Sequence, residues 1–156
     1  MVLARVFVVG CLLAAQNVLA DFTGKVVGVS DGDTITVLKD REQVKVRMVE
    51  IDAPEKGQAF GNRSKQALSQ LVHGRQVEIR EQGIDRYDRT LGRVYLSGLD
   101  VNTEMVRLGM AWVYVKYAKD KGLYQIEAEA REQRRGLWAD KEPVAPWEWR
   151  RARKTG

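Results

Sequence analysis

The stretch VRMVEIDAPE, from Val46 to Glu55, sets an arginine and two carboxylates close together around a proline. Arg47 sits in an apolar-alternating run, Asp52 follows, and Glu55 comes three residues later across the stiff Pro54. Two other stretches carry similar chemistry: SDGDT (Ser30 to Thr34) and DRYDRTLGRVY (Asp85 to Tyr95). Read singly, each has a plain alternative. Asp-Gly between strands is an ordinary turn, the acids around Pro54 fit an exposed proline turn, and the arginine-rich loop fits a solvated hairpin. Read together, carboxylates and guanidinium groups suit a phosphate-handling centre. Carboxylates hold a hard cation or take a proton, and arginine forks grip phosphoryl oxygens as negative charge builds on them.

The residue inventory narrows the chemistry. His73 is the single histidine and Cys11 the single cysteine of 156 residues. One imidazole cannot be both acid and base of a two-histidine ribonuclease, and soft ligands are too few for a structural zinc site. His73 precedes Gly74 and reads as a helix-end residue, where positive charge suits the dipole. No nucleophile-elbow motif accompanies it.

The elements that must position these residues follow from periodicity. FTGKVVGVS and TITVLKD read as strands; Val44, Val46 and Met48 then alternate with Lys45 and Arg47, the period of two of a half-buried strand. Between Ala59 and Val72 the period becomes helical, with Phe60, Ala67, Leu68 and Leu71 on one face and Gly74 as the stop. RQVEIRE and TLGRVYLSG give two more strands. Asn102 is the expected N-cap of a helix ending at Gly109, and a last helix is expected from Leu123 to Arg135. This order predicts an OB-like β-barrel with three packed α-helices, an α+β arrangement.

Residues 1–20 read differently. One arginine precedes the apolar run VFVVGCLLAA, and Val18 and Ala20 stand where a signal peptidase reads, so a cleaved leader over 1–20 is expected. Its loss removes Arg5 and leaves 25 basic against 21 acidic side chains, a net charge of +4. A basic chain without cysteine suits an oxidising compartment and a polyanionic partner. Residues 21–140 then form one domain, and 141–156 a basic, proline-broken, partly ordered tail. That tail offers either nonspecific affinity for a polyanion or plain solubility.

Taken in register, DGDT, R-x-x-x-x-D-A-P-E and DRYxRxLGxVY resemble the staphylococcal nuclease (thermonuclease) family. NTEMVRLGMAWVYVKY, EAEAREQRRGLW and PWEWR extend the resemblance over nearly all of the mature chain. It implies an OB-fold barrel and an exported, calcium-dependent phosphodiesterase that cuts DNA and RNA with little sequence preference, leaving 3′-phosphate ends. By motif, Asp33 and Asp52 would hold Ca²⁺ with the backbone carbonyl of Ala53. Glu55 would be the general base, and Arg47 and Arg89 the transition-state cations. Arg86, Tyr87 and Tyr117 would bind a substrate phosphate, with Tyr114 competing for the last role. DNA and RNA are the implied partners, no stable membrane association is expected after leader cleavage, and a secreted or periplasmic monomer is expected.

The chain departs from the family's pattern at two charged positions. Glu50 brings an extra carboxylate just before IDAPE, and Asp88 stands where glycine is common. A catalytically inactive OB-fold module that only binds nucleic acid is the main alternative. Retention of Asp33, Arg47, Asp52, Glu55 and Arg89 favours the enzyme. A protein that binds an anionic envelope polymer would also explain the charge, but it leaves these residues idle.

Overall fold

Strand β1 (Phe22–Asp31) pairs antiparallel with β2 (Thr34–Lys39), which pairs with β3 (Glu42–Met48). The computed structural model describes residues 21–155, so the expected leader over 1–20 lies outside the described residues. On its other side β1 pairs with β5 (Gln76–Ile84), and β5 with β6 (Thr90–Leu96). A parallel seam between β3 and β6, with Val46 opposite Thr90 and Met48 opposite Gly92, closes these five strands into a barrel. Val26, Ile35, Val37, Val46, Met48, Val77, Ile79 and Val94 alternate inward and are buried. Each such side chain contributes about 1.5–3 kcal/mol on burial.

Three helices pack on the barrel as expected, with adjusted ends. Helix α1 (Gly61–Val72) buries Leu68 and Val72; its first turn is shorter than expected because Phe60 takes a left-handed conformation, φ 64°, ahead of it. Helix α2 (Val101–Arg107) follows the short strand β7 (Leu99–Asp100), and helix α3 (Gly122–Glu132) buries Leu123 and Ala130. Asn102 is not the cap of α2. Asp100 caps it by accepting from the Thr103 amide at 3.0 Å. Asn102 is fully buried, accepting from Val94 N at 3.0 Å and donating to the Val49 carbonyl at 2.9 Å. It ties the helix to the barrel rather than starting it.

The chain after residue 140 also differs from expectation. Pro146–Thr155 forms a fourth helix, α4, and the segment is no loose tail. Beneath it lies a second, aromatic cluster of Trp112, Ala130, Leu137, Trp138 and Ala145, with Phe60 and Trp147 packed against it. Trp147 stacks parallel on Tyr114 (centroids 5.5 Å, 3°) and meets Trp112 edge-on at 5.7 Å. Proline at the first helical position is pre-set for a helix and lacks only an amide that would be unpaired there. The tail's proline therefore starts an element instead of breaking one.

Candidate active site

The centre begins at the tight turn between β1 and β2. A side chain at Gly32 would put its Cβ 1.8 Å from Ser64 Oγ and 2.8 Å from Ala53 Cβ, so only glycine lets this turn rest on Ala53. Asp33 follows, only 5% exposed. Its Oδ2 accepts from the Ala53 amide at 2.7 Å and its Oδ1 from Thr34 Oγ1 at 3.0 Å. Asp33 thus touches Ala53 through the amide, whereas the resemblance assigns the Ala53 carbonyl to the cation.

Arg47 projects from β3 between the buried Val46 and Met48, on the outside of the barrel wall. One nitrogen, Nη2, lies 3.2 Å from both Asp33 Oδ2 and Asp52 Oδ1. The other, Nη1, donates to the carbonyls of Met48 and Ile51, the latter at 3.0 Å. Asp52 reaches this position because the chain turns sharply at Glu50, φ 65°, and re-enters a separate two-stranded sheet. There β4 (Ile51–Asp52) pairs with β8 (Trp112–Val113), placing Asp52 opposite Trp112.

Glu55 lies just outside this cluster. Its amide donates to Gln58 Oε1 at 2.9 Å, and Gln58 Nε2 donates to the Val144 carbonyl at 2.7 Å, so one buried amide joins the Glu55 turn to the approach to α4. The Asp52 side chain is 2% exposed and that of Glu55 37%. Buried acid suits an ion-holding role, and the open acid can meet water.

Arg150, on α4, is the site residue that the sequence reading missed. Its Nη2 lies 2.7 Å from Asp52 Oδ2, and its Nη1 lies 3.2 Å from Asp52 Oδ1 and 2.6 Å from Glu55 Oε1. One guanidinium therefore spans both acids of the DAPE motif. The recognisable signal was positional: Trp147, Arg150 and Lys154 recur at helical spacing after Pro146.

The electrostatics describe a place short of positive charge. Burial, and then the neighbouring Asp33 carboxylate, pushes Asp31 up to about 7. Burial also raises Asp52, against the opposing pull of its bond to Arg150. Burial works against the charge of Arg150 itself, but its bonds to Asp52 and Glu55 outweigh that, and the net shift is upward. All donors here are oxygens, the set a hard cation prefers. Among the described residues no three or more such side chains form a ready-made cation cage. The donors present fit an open, weak site instead: two facing carboxylates, with carbonyl and water oxygens completing it.

The second predicted cluster occupies the loop between β5 and β6. Asp85 organises it, accepting from the amides of Tyr87 and Arg89 at 2.9 and 3.0 Å and from Arg89 Nε at 2.8 Å. Asp88 takes the left-handed φ of 60° that glycine would adopt freely. Tyr87 is 64% exposed, and Arg86 donates to its hydroxyl at 2.7 Å. Because Leu91 lies opposite Arg47 across the parallel seam, Arg89 enters beside the strand that carries Arg47. Its side chain is turned onto Asp85. Among the described residues no hydrogen bond or ion pair joins Arg86, Tyr87 or Arg89 to Asp33, Asp52 or Glu55.

Tyr117 and Tyr114 separate clearly. Tyr114 is stacked under Trp147, whereas Tyr117 meets Tyr114 edge-on at 4.9 Å and stays exposed. Glu50 supports this segment rather than the carboxylate cluster. Its Oε1 accepts from the amides of Lys119 and Asp120 at 2.6 and 2.7 Å, and its Oε2 lies 3.4 Å from Arg93 Nη1.

Comparison with known proteins identifies the family. The model of the staphylococcal nuclease homologue family matches residues 45–140. A micrococcal nuclease of Shigella flexneri is 46% identical, over 92% of this chain and 88% of the relative. An uncharacterized endonuclease of Escherichia coli O157:H7 is 50% identical over 84% and 86%, and another of Haemophilus influenzae is 49% identical over 85% and 75%. With a closed barrel, helices on its flank and the Asp33–Arg47–Asp52 cluster at its wall, the chain belongs to the staphylococcal nuclease family.

Proposed function

We propose that this chain is a calcium-dependent endonuclease that hydrolyses DNA and RNA with little sequence preference and leaves 3′-phosphate and 5′-hydroxyl ends. The coarser statement, a nuclease, rests on its kinship with named nucleases. The observation that carries the finer reading is Arg47 Nη2 standing 3.2 Å from both Asp33 and Asp52, with Glu55 sharing Arg150 with Asp52. Acids, guanidinium groups and a solvent-open carboxylate thereby meet at one place.

Asp33 and Asp52, with the Ala53 carbonyl, would hold Ca²⁺, which when bound supplies charge to a phosphoryl oxygen and order to the attacking water. Glu55 takes a proton from that water as its oxygen bonds to phosphorus. Such a base contributes typically ~10²–10⁴ in rate. Arg47 faces the charge that builds on the phosphoryl oxygens, and each donor of this kind contributes ~10²–10³. Arg89, swung from Asp85, attends the departing 5′ oxygen, which leaves as the phosphorus–oxygen bond breaks and is protonated by solvent. Arg86, Tyr87 and Tyr117 stand outside the carboxylates as substrate-phosphate contacts. Export to the periplasm or beyond belongs to the same reading, because weak calcium sites of roughly 10⁻⁴–10⁻³ M serve extracytoplasmic modules.

Residues Asp21–Gly156 are incubated with single-stranded DNA and with RNA, in Ca²⁺ or chelator, beside a Glu55→Ala variant. Cleavage that needs Ca²⁺ and falls by ~10²–10⁴ in the variant is expected. Equal cleavage by both proteins removes Glu55 from the mechanism. Binding without cleavage in any metal establishes the inactive binding module instead.

A further inference from the structure

Helix α4 does more than deliver Arg150. Its anchoring is firm: Ala145 and Pro146 are buried, Trp147 is sandwiched against Tyr114 and Trp112, and Arg150 is bonded to Asp52 and Glu55. Arg150, Arg153 and Lys154 fall at i, i+3 and i+4, so they share one helix face, while Arg151, on the same helix, is not among the groove's lining residues. Opposite that face stands the turn bearing Glu55 and Lys56. Between helix and turn runs an open groove of about 230 Å³, lined by Glu55, Lys56, Trp149, Arg150, Arg153 and Lys154.

The groove holds four cations against one carboxylate, and that carboxylate is already paired with Arg150 at 2.6 Å. Its inner end is the Glu55–Arg150 pair itself, and its outer end is Lys154, roughly 6 Å further along the helix axis. It is therefore continuous with the carboxylate centre and carries the sign opposite to a phosphodiester backbone. Trp149 adds an aromatic wall, and an aromatic side chain beside a basic track is the combination that holds single strands without reading sequence.

We propose that this groove is a substrate subsite, in which Lys56, Arg153 and Lys154 bind phosphates of the strand flanking the scissile bond. The assignment rests on the hydrolytic reading of the centre at its inner end. It makes the enzyme length-sensitive: a strand long enough to enter the groove gains contacts that a minimal diester never meets.

The full mature chain is tested with Ca²⁺ on a twelve-nucleotide single strand and on the nitrophenyl phosphodiester of thymidine, and in chelator for strand binding by fluorescence anisotropy across a salt series. An Arg153→Ala/Lys154→Ala variant is compared with Arg151→Ala, which removes a charge that does not line the groove; circular dichroism checks that both fold. The double variant is expected to raise KM for the twelve-mer about tenfold and to leave the small diester unchanged. The slope of log K against log salt should shrink by about 1.4, two contacts at ~0.7 each for a single strand. Arg151→Ala should move neither quantity. Equal effects from both variants, or no change in slope from the double variant, overturn the subsite. Failure of the wild type to cleave either substrate overturns the hydrolytic reading alone, and a reduced slope would then still support the groove.

Discussion

Arg150 holds both carboxylate oxygens of Asp52, at 3.2 and 2.7 Å, from 98 residues away in sequence. A divalent cation that uses Asp52 must share it with, or take it from, this fork. Charge-assisted bonds of this kind are worth about 1.5–3 kcal/mol. Arg150→Ala is therefore expected to tighten Ca²⁺ binding roughly tenfold, as isothermal titration calorimetry without substrate would report. Arg151→Ala, on a different face, should leave the affinity unchanged. Weaker binding in Arg150→Ala would instead make the fork a support of the site.

Glu50 offers a test of stability apart from chemistry. Its carboxylate satisfies the amides of Lys119 and Asp120 and pairs with Arg93. Glu50→Ala leaves those groups short of an acceptor and is expected to lower unfolding stability by about 3 kcal/mol in urea titration. An unchanged urea midpoint would show that the Tyr114–Asp120 segment is held by other contacts.

Trp147 fixes α4 to β8 and the residue after it through Trp112 and Tyr114. Trp147→Ala should let the helix open locally while the main core stays folded. Trypsin cleavage after Arg150, Arg151 or Arg153 is expected to speed up about a hundredfold, read by mass spectrometry of the lost C-terminal peptide. Equal cleavage rates would mean that the Arg150 ion pairs alone hold the helix.

Asp85 supplies a pH signature. Its partial burial favours the neutral form, but the bonds from Arg89 and the amides of Arg89 and Tyr87 outweigh that and hold its carboxyl below the usual 3.8. A carboxyl depressed on folding adds stability that is fully present above its unfolded value and is lost as pH falls through its folded value. The stability gap between wild type and Asp85→Asn should thus be constant from about pH 5 to pH 7 and close below about pH 4. A gap independent of pH down to about pH 2 would mean that charge on Asp85 contributes nothing.

The barrel was legible because local rules and tertiary structure agree there. Val46 and Met48 alternate with Arg47, and that period both makes the strand and aims the arginine outward. Asp33, Arg47 and Asp52 were legible as types, and their meeting depends on the turn at Glu50, which no periodicity announces. Asn102 was misread for a physical reason. An asparagine two residues into a helix looks like a cap, and only the Val94 amide and Val49 carbonyl that it pairs in three dimensions reveal its use. Arg150 was hidden by composition. A basic run following two prolines reads as solvated chain until an aromatic floor of Trp112, Trp138 and Tyr114 is found beneath it.

Because β3 and β6 zip together in parallel, Val46 and Arg47 of β3 have a neighbouring strand on both sides and offer no open edge there. A neighbouring chain could add a strand along that stretch only by first breaking the seam. Only three rungs hold it, Val46–Thr90, Arg47–Leu91 and Met48–Gly92. The middle rung carries the arginine that clamps Asp33 and Asp52. Colloidal safety and the working geometry of the carboxylates hang on the same short zip.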